Sequence, residues 1–119
     1  MIVDTSAIIA ILKNEPEAPR FTRAIESASH PRMSVVNYVE AGVVADSARN
    51  PIVPRQFDEL IRLADIEIVS VTEEQGRLAR AAYRDFGRGS GHPAKLNCGD
   101  CFAQAIPRAP GSRTFFRFP

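Results

Sequence analysis

Apolar residues in this chain come in short bursts broken by prolines and charges, and the spacing inside each burst predicts what it forms. Residues 1–4 read as a very short buried strand, and residues 6–14 (SAIIAILKN) as an apolar helix packed on a sheet. Asp4 therefore stands at a strand-to-helix junction. Pro16 interrupts, and residues 17–28 restart as a helix with Phe21 and Ile25 on one face. Residues 32–36 (RMSVV) predict a second strand, after which Asn37 is expected to cap a helix running towards Arg49, with Glu40 in its first turn. Asn50-Pro51 ends that helix. Residues 54–64 form an amphipathic helix with Phe57, Leu60, Ile61 and Ala64 on one side, and residues 66–71 (IEIVSV) alternate like a strand.

The second half follows the same grammar. Thr72-x-x-Gln75 has the form of a capping box, and the helix it opens runs to Gly87 as a stop. Residues 87–96 (GRGSGHPAKL) are a glycine-rich, mildly basic loop. Asn97 to Asp100 offers a further cap before a short helix at residues 101–106, stopped by Pro107 and Pro110. A last strand is expected at residues 114–118. Strand and helix signals alternate without a tight-hairpin signature, which predicts an α/β domain whose central sheet is mostly parallel and flanked by helices.

Composition narrows the class. The chain has 119 residues, 45% hydrophobic and 24% charged, enough for one globular core and short of two domains. Its net charge of +1 gives no global field for nucleic acid, so any basic surface is local. Lys13 and Lys95 are the only lysines; the remaining cations are arginines, suited to bidentate phosphate contacts. No apolar run approaches the roughly 18 residues that span a bilayer, and Met1-Ile2-Val3-Asp4 does not open a secretory leader. Cys98 and Cys101 are too few for a disulfide framework, and a cytoplasmic location is expected.

Candidate chemistry centres on carboxylates. In a parallel sheet, ligands gather beyond the C-terminal strand ends, where Asp4 and Glu40 are expected and where Asp100 arrives if its helix packs beside the first strand. Each acid taken singly is adequately explained as a helix-start residue worth roughly 0.5 to 2 kcal/mol. Together they are not, because carboxylates 4 Å apart repel by about 4 kcal/mol per pair at an effective dielectric of 20. A hard divalent cation, Mg²⁺ or Mn²⁺, offsets that repulsion; the two histidines make zinc a poor fit.

Three stretches carry a resemblance: Met1-Ile2-Val3-Asp4-Thr5-Ser6-Ala7, Met33-Ser34 through Tyr38-Val39-Glu40, and Leu96-Asn97-Cys98-Gly99-Asp100-Cys101-Phe102. With the loop at residues 87–94 and the Ala81-Ala82-Tyr83-Arg84 segment before it, the chain resembles a PIN-domain ribonuclease toxin of the VapC type. The resemblance is strongest over residues 1–103 of a single domain spanning 1–119. It implies a small three-layer PIN-like fold and a cytoplasmic, commonly dimeric endoribonuclease dependent on Mg²⁺ or Mn²⁺ and neutralised by a VapB-type antitoxin. It also implies that Asp4, Glu40 and Asp100 are the catalytic metal ligands, with Ser6 a supporting contact and Thr5 less clearly so. Arg84, Arg88 and Lys95 are candidates for holding RNA phosphates, against the commoner fate of such charges as plain solvated surface.

Residues 104–119 diverge from that pattern. The family continues into a strand and a lysine-glycine-acidic segment bearing a fourth acid, whereas Phe118-Pro119 stand where glycine and the acid would follow. The expectation is a divergent or truncated relative whose metal binding is more secure than its turnover. An impaired enzyme that still binds antitoxin or a second copy is the alternative. Three other motifs are set aside: Cys98-x-x-Cys101 as a redox pair, the Gly87-x-Gly89-x-Gly91 run as a nucleotide loop, and His30 and His92 as catalytic groups. The glycine run follows a helix and lacks a lysine-serine ending, and both histidines flank prolines in predicted surface loops.

Overall fold

The structure is a computed structural model that describes residues 1–107 and the backbone of residues 114–115. In chain order its elements are β1 (Ile2–Val3), α1 (Thr5–Leu12), α2 (Ala18–Ser27), β2 (Arg32–Ser34), α3 (Val35–Asp46), α4 (Ile52–Leu63), β3 (Glu67–Val69), α5 (Glu73–Phe86), α6 (Cys98–Ala105) and β4 (Thr114–Phe115). The strands form one sheet in the order β3-β2-β1-β4, every pair parallel.

Two adjacent residues set the layering. Ile2 and Val3 are both fully buried, and successive strand side chains point to opposite faces. Val3 enters a core with Ile8, Ile25, Met33, Ala41 and Phe57, contributed by β2 and the first four helices. Ile2 enters a second core with Ala103 and Ile106 at the end of α6, on which α5 packs. The result is the three-layer α/β arrangement expected. Among the described residues no helix is long and apolar enough to cross a membrane.

Local chemistry explains most boundaries. Thr72 and Gln75 form the expected capping box at the start of α5. The N-terminus of α4 lies two residues before the expected Pro54, because a proline in the first turn gives up an N–H that has no partner there anyway. The glycine at 87 stops α5, but in an extended conformation (φ −78°) rather than a left-handed one. Its requirement is space: a Cβ there would run into the Tyr83 carbonyl oxygen.

The start of α3 differs from expectation in a way that matters for the site. Ser34, not Asn37, is the cap; its Oγ accepts the Val36 N–H at 3.1 Å, and Ser34 is held at the strand end by pairing with Val69. The helix thus begins earlier, Asn37 moves inside its first turn with no exposure, and Glu40 falls in the second turn. Glu40 is therefore not a helix-start carboxylate. At the other end, Thr114–Phe115 form the first part of the strand expected at 114–118, with Val3 opposite Phe115; residues 116–118, and the expected stop at Pro110, lie outside the described residues.

Candidate metal centre

Asp4 follows β1 directly and caps α1. Its Oδ2 accepts the Ser6 backbone N–H at 3.1 Å and the Ser6 hydroxyl at 2.6 Å, and its Oδ1 accepts from Asn37 Nδ2 at 3.1 Å. Three donated hydrogen bonds would ordinarily hold a carboxyl acidic. Instead the Asp4 pKa is raised from 3.8 to about 6, chiefly because the group is removed from water. The Ser6 hydrogen bonds pull the other way, and the charge of the nearby Asp100 carboxylate pushes it up further.

Asp100 stands in the first turn of α6, whose later residues Ala103 and Ile106 pack with Ile2 of β1. Asn97 and Asp100 form a reciprocal capping box at 2.8 Å in each direction, so one Asp100 oxygen is engaged with the Asn97 N–H. The other, Oδ1, is buried with no hydrogen-bond donor. Two buried acids near each other, one oxygen without a donor, and an elevated Asp4 pKa together form a site short of positive charge. Hard oxygen donors of this kind suit a Mg²⁺-class cation. Asp4 and Asp100 are thus both caps and neighbours; the two readings coexist in the same side chains.

Glu40 lies near them by a different route. It approaches across α6: a Cβ at residue 99 would collide with Glu40 Oε1, so only glycine lets the Glu40 carboxylate lie against the backbone next to Asp100. Among the described residues no group of three or more His, Cys, Asp or Glu is gathered closely enough to hold a metal. The structure therefore brings Asp4 and Asp100 together and sets Glu40 beside the residue preceding Asp100.

The residue that ties these parts together is Asn37, which capping rules cast as a helix end. Its Nδ2 faces Asp4 Oδ1 (3.1 Å), Thr5 Oγ1 (2.9 Å) and Gly99 O (3.1 Å), while the Thr5 hydroxyl donates to the Asn37 carbonyl at 3.2 Å. One buried amide thus joins the end of β1, the start of α1, α3 and α6. Its own Oδ1 is buried without a partner. A polar residue three places before Glu40 was visible in the sequence; its partners, 32 to 62 residues distant, were not.

The cationic candidates separate. Arg88 and Lys95 line a cavity of about 760 Å³ that also reaches Asn97 and Asp100. Arg84 is not among its lining residues; it is exposed and hydrogen-bonds its neighbour Asp85 at 3.1 Å, which raises its pKa. His30 pairs with Glu67 at 2.8 Å on the surface, whereas His92 lines the Arg88–Lys95 cavity. Cys98 is an exposed free thiol; Cys101 is buried and its pKa is pushed up to about 11, by removal from water first and the Asp100 and Cys98 charges second.

Comparison with known proteins places the chain in a family. The PIN domain model matches residues 1–108. The chain is 56% identical over 106 residues to ribonuclease VapC28 of Mycobacterium tuberculosis, an alignment covering 89% of this chain and 80% of that protein. It is 43% identical over 117 residues to ribonuclease VapC42 of the same organism, covering 98% and 89% of the two chains. A third relative, ribonuclease VapC30, is 37% identical over 117 residues, covering 98% and 88%.

Proposed function

The chain belongs to the PIN-domain family, in its VapC ribonuclease branch, and from that premise we propose that it is the toxin of a toxin–antitoxin pair, a metal-dependent endoribonuclease acting at Asp4, Glu40 and Asp100. The observation that carries the reading is the buried Asp4–Asp100 pair, with its raised Asp4 pKa and an Asp100 oxygen that no donor satisfies. Divalent-metal use is common to such nucleases; Mg²⁺ is the proposed ion here and Mn²⁺ the substitute.

A bound cation would neutralise charge on the scissile phosphate and lower the pKa of a water. The protein's own residues do the rest. Asp4 and Asp100 would hold the ion, and Glu40, set against Gly99, would be the third acidic group beside it. Ser6 and Asn37 fix both oxygens of Asp4, so its remaining lone pairs keep one direction. Arg88 and Lys95 take RNA phosphates at the cavity next to Asp100. Water then attacks phosphorus and gives up a proton to solvent as the bond to the leaving oxygen breaks, and that oxygen takes a proton from solvent.

The proposed partners are RNA, a VapB-type antitoxin and a second copy of the chain in the cytoplasm. Val35, Val39 and Val43 support the last: they recur every four residues on α3 and are 37%, 56% and 60% exposed, an apolar stripe suited to a symmetric helix contact. A second reading, an impaired enzyme that keeps its antitoxin and dimer contacts, is favoured by Phe118-Pro119 standing in place of the family's glycine and fourth acid. Incubating the purified protein with RNA and Mg²⁺ or Mn²⁺ beside an Asp4→Asn control separates them. Cleavage lost in the control supports the enzyme; retained antitoxin binding without cleavage in either supports the impaired form.

A further inference from the structure

The loop at residues 87–96 is built more carefully than a connector needs to be. Its ends are closed by the Leu96 N–H on the Phe86 carbonyl at 2.9 Å and the Arg88 N–H on the Leu96 carbonyl at 3.0 Å. Inside it, the Ser90 hydroxyl donates to the Gly87 carbonyl at 2.6 Å and accepts the His92 N–H at 3.2 Å. Gly89 (φ +85°) and Gly91 (φ +86°) supply left-handed turns that other residues rarely adopt. These bonds fix the loop's path before any ligand arrives.

His92 is held twice over. Its ring packs edge-to-face with Phe86 at 4.8 Å, and its Nδ1 accepts the Ala94 N–H at 3.1 Å. Accepting at Nδ1 puts the neutral ring's proton on Nε2, a fixed donor beside an exposed aromatic surface. His92, Pro93, Arg88 and Lys95 line the same cavity of about 760 Å³, and Asp100 lines it too. That volume falls in the usual range of small-ligand clefts, about 300–1,000 Å³. Two cations, a flat ring and a proline next to an acidic metal site match the parts of one nucleotide: a phosphate for the cations and a base for the ring.

We infer that this cavity is a subsite for one unstacked nucleotide adjacent to the scissile phosphate, its phosphate held by Arg88 and Lys95 and its base stacked on His92. The inference rests on the ribonuclease reading above and adds to it a requirement for single-stranded RNA at the subsite, since a base inside a duplex cannot reach the ring.

The test measures fluorescence anisotropy of a labelled single-stranded RNA, and of the same strand in a duplex, in EDTA so that nothing is cleaved. His92→Ala is expected to weaken single-strand binding by about 5- to 100-fold, the effect of removing a stacking aromatic, and duplex binding by less than about twofold. His92→Phe, which keeps a ring but also loses the Nδ1 acceptor, is expected to stay within about threefold of the wild type, excluding loss of the loop's hydrogen bond as the cause. Wild-type affinity in His92→Ala, or equal losses for single strand and duplex, would overturn the subsite while wild-type cleavage in Mg²⁺ leaves the enzyme standing. A wild-type protein that neither binds nor cleaves RNA would overturn both.

Discussion

Replacing Asp4 with Asn should make the metal-free protein more stable at neutral pH and less stable in acid. Asp4 is 1% exposed and its pKa is raised from 3.8 to about 6. A group whose folded pKa lies above its unfolded value binds protons more readily when folded. Its contribution to stability is therefore fully present below pH 3.8 and is lost as pH rises through about 6. Two units correspond to roughly 3 kcal/mol between those limits. Asn carries no charge to desolvate, but it has one acceptor oxygen where Asp4 has two. Either Asn37 Nδ2 or Ser6 then loses its acceptor, at a cost of about 1 kcal/mol.

The larger effect decides the sign above pH 6, where Asp4→Asn should gain about 1–2 kcal/mol; near pH 4 only the loss remains. Urea unfolding of both proteins in EDTA at pH 4, 6 and 7.5 measures the difference, and subtracting the variant cancels every other titrating group. Mg²⁺ should reverse the ranking at pH 7.5, adding about 2.7 kcal/mol to the wild type alone at 100 times its dissociation constant. A variant destabilised by the same amount at all three pH values, or stabilised by Mg²⁺ as much as the wild type, would refute the account of a strained, cation-seeking acid pair.

Three further outcomes are expected. Asn37→Ala removes a buried amide from Asp4, Thr5 and Gly99 and leaves a void, so urea unfolding should show a loss of about 2–4 kcal/mol; calorimetric Mg²⁺ affinity should fall about 10- to 100-fold. Gly99→Ala pushes a methyl against the Glu40 carboxylate and crowds the buried Asn37 amide at 3.0 Å, so urea unfolding should show a loss of about 1–3 kcal/mol, while displacing the carboxylate should cut metal-dependent RNA cleavage at least about tenfold. Iodoacetamide at pH 8 should label exposed Cys98 and spare Cys101, whose thiol stays protonated far below about 11, as peptide mass spectrometry would detect; cleavage that survives the labelling would exclude a redox role for the pair.

What the sequence carried best was whatever is decided within a few residues. The Thr72–Gln75 box, the Asn97–Asp100 box and the Asp4 cap are all contacts between residues two or three apart, and each forms from the side chains on hand. The alternation of elements likewise implied parallel strands, because the intervening helices carry the chain back to the same sheet edge. The start of α3 was misread because Ser34 and Asn37 are both good caps, and pairing of Ser34 with Val69 in the sheet, a contact between residues far apart, selected the first.

The acid site divides along the same line. The sequence by itself showed Asp4 and Asp100 to be helix-start carboxylates, and placed Glu40 one turn too early. Only the tertiary structure decided that Asp4 and Asp100 share one buried place, that Glu40 lies against Gly99 next to Asp100, and that a fully buried Asn37 ties α1, α3 and α6 around it. The physical reason is range: capping energies depend on local backbone geometry and can be read from spacing, whereas desolvation and carboxylate repulsion arise when packing removes water from groups distant in the chain.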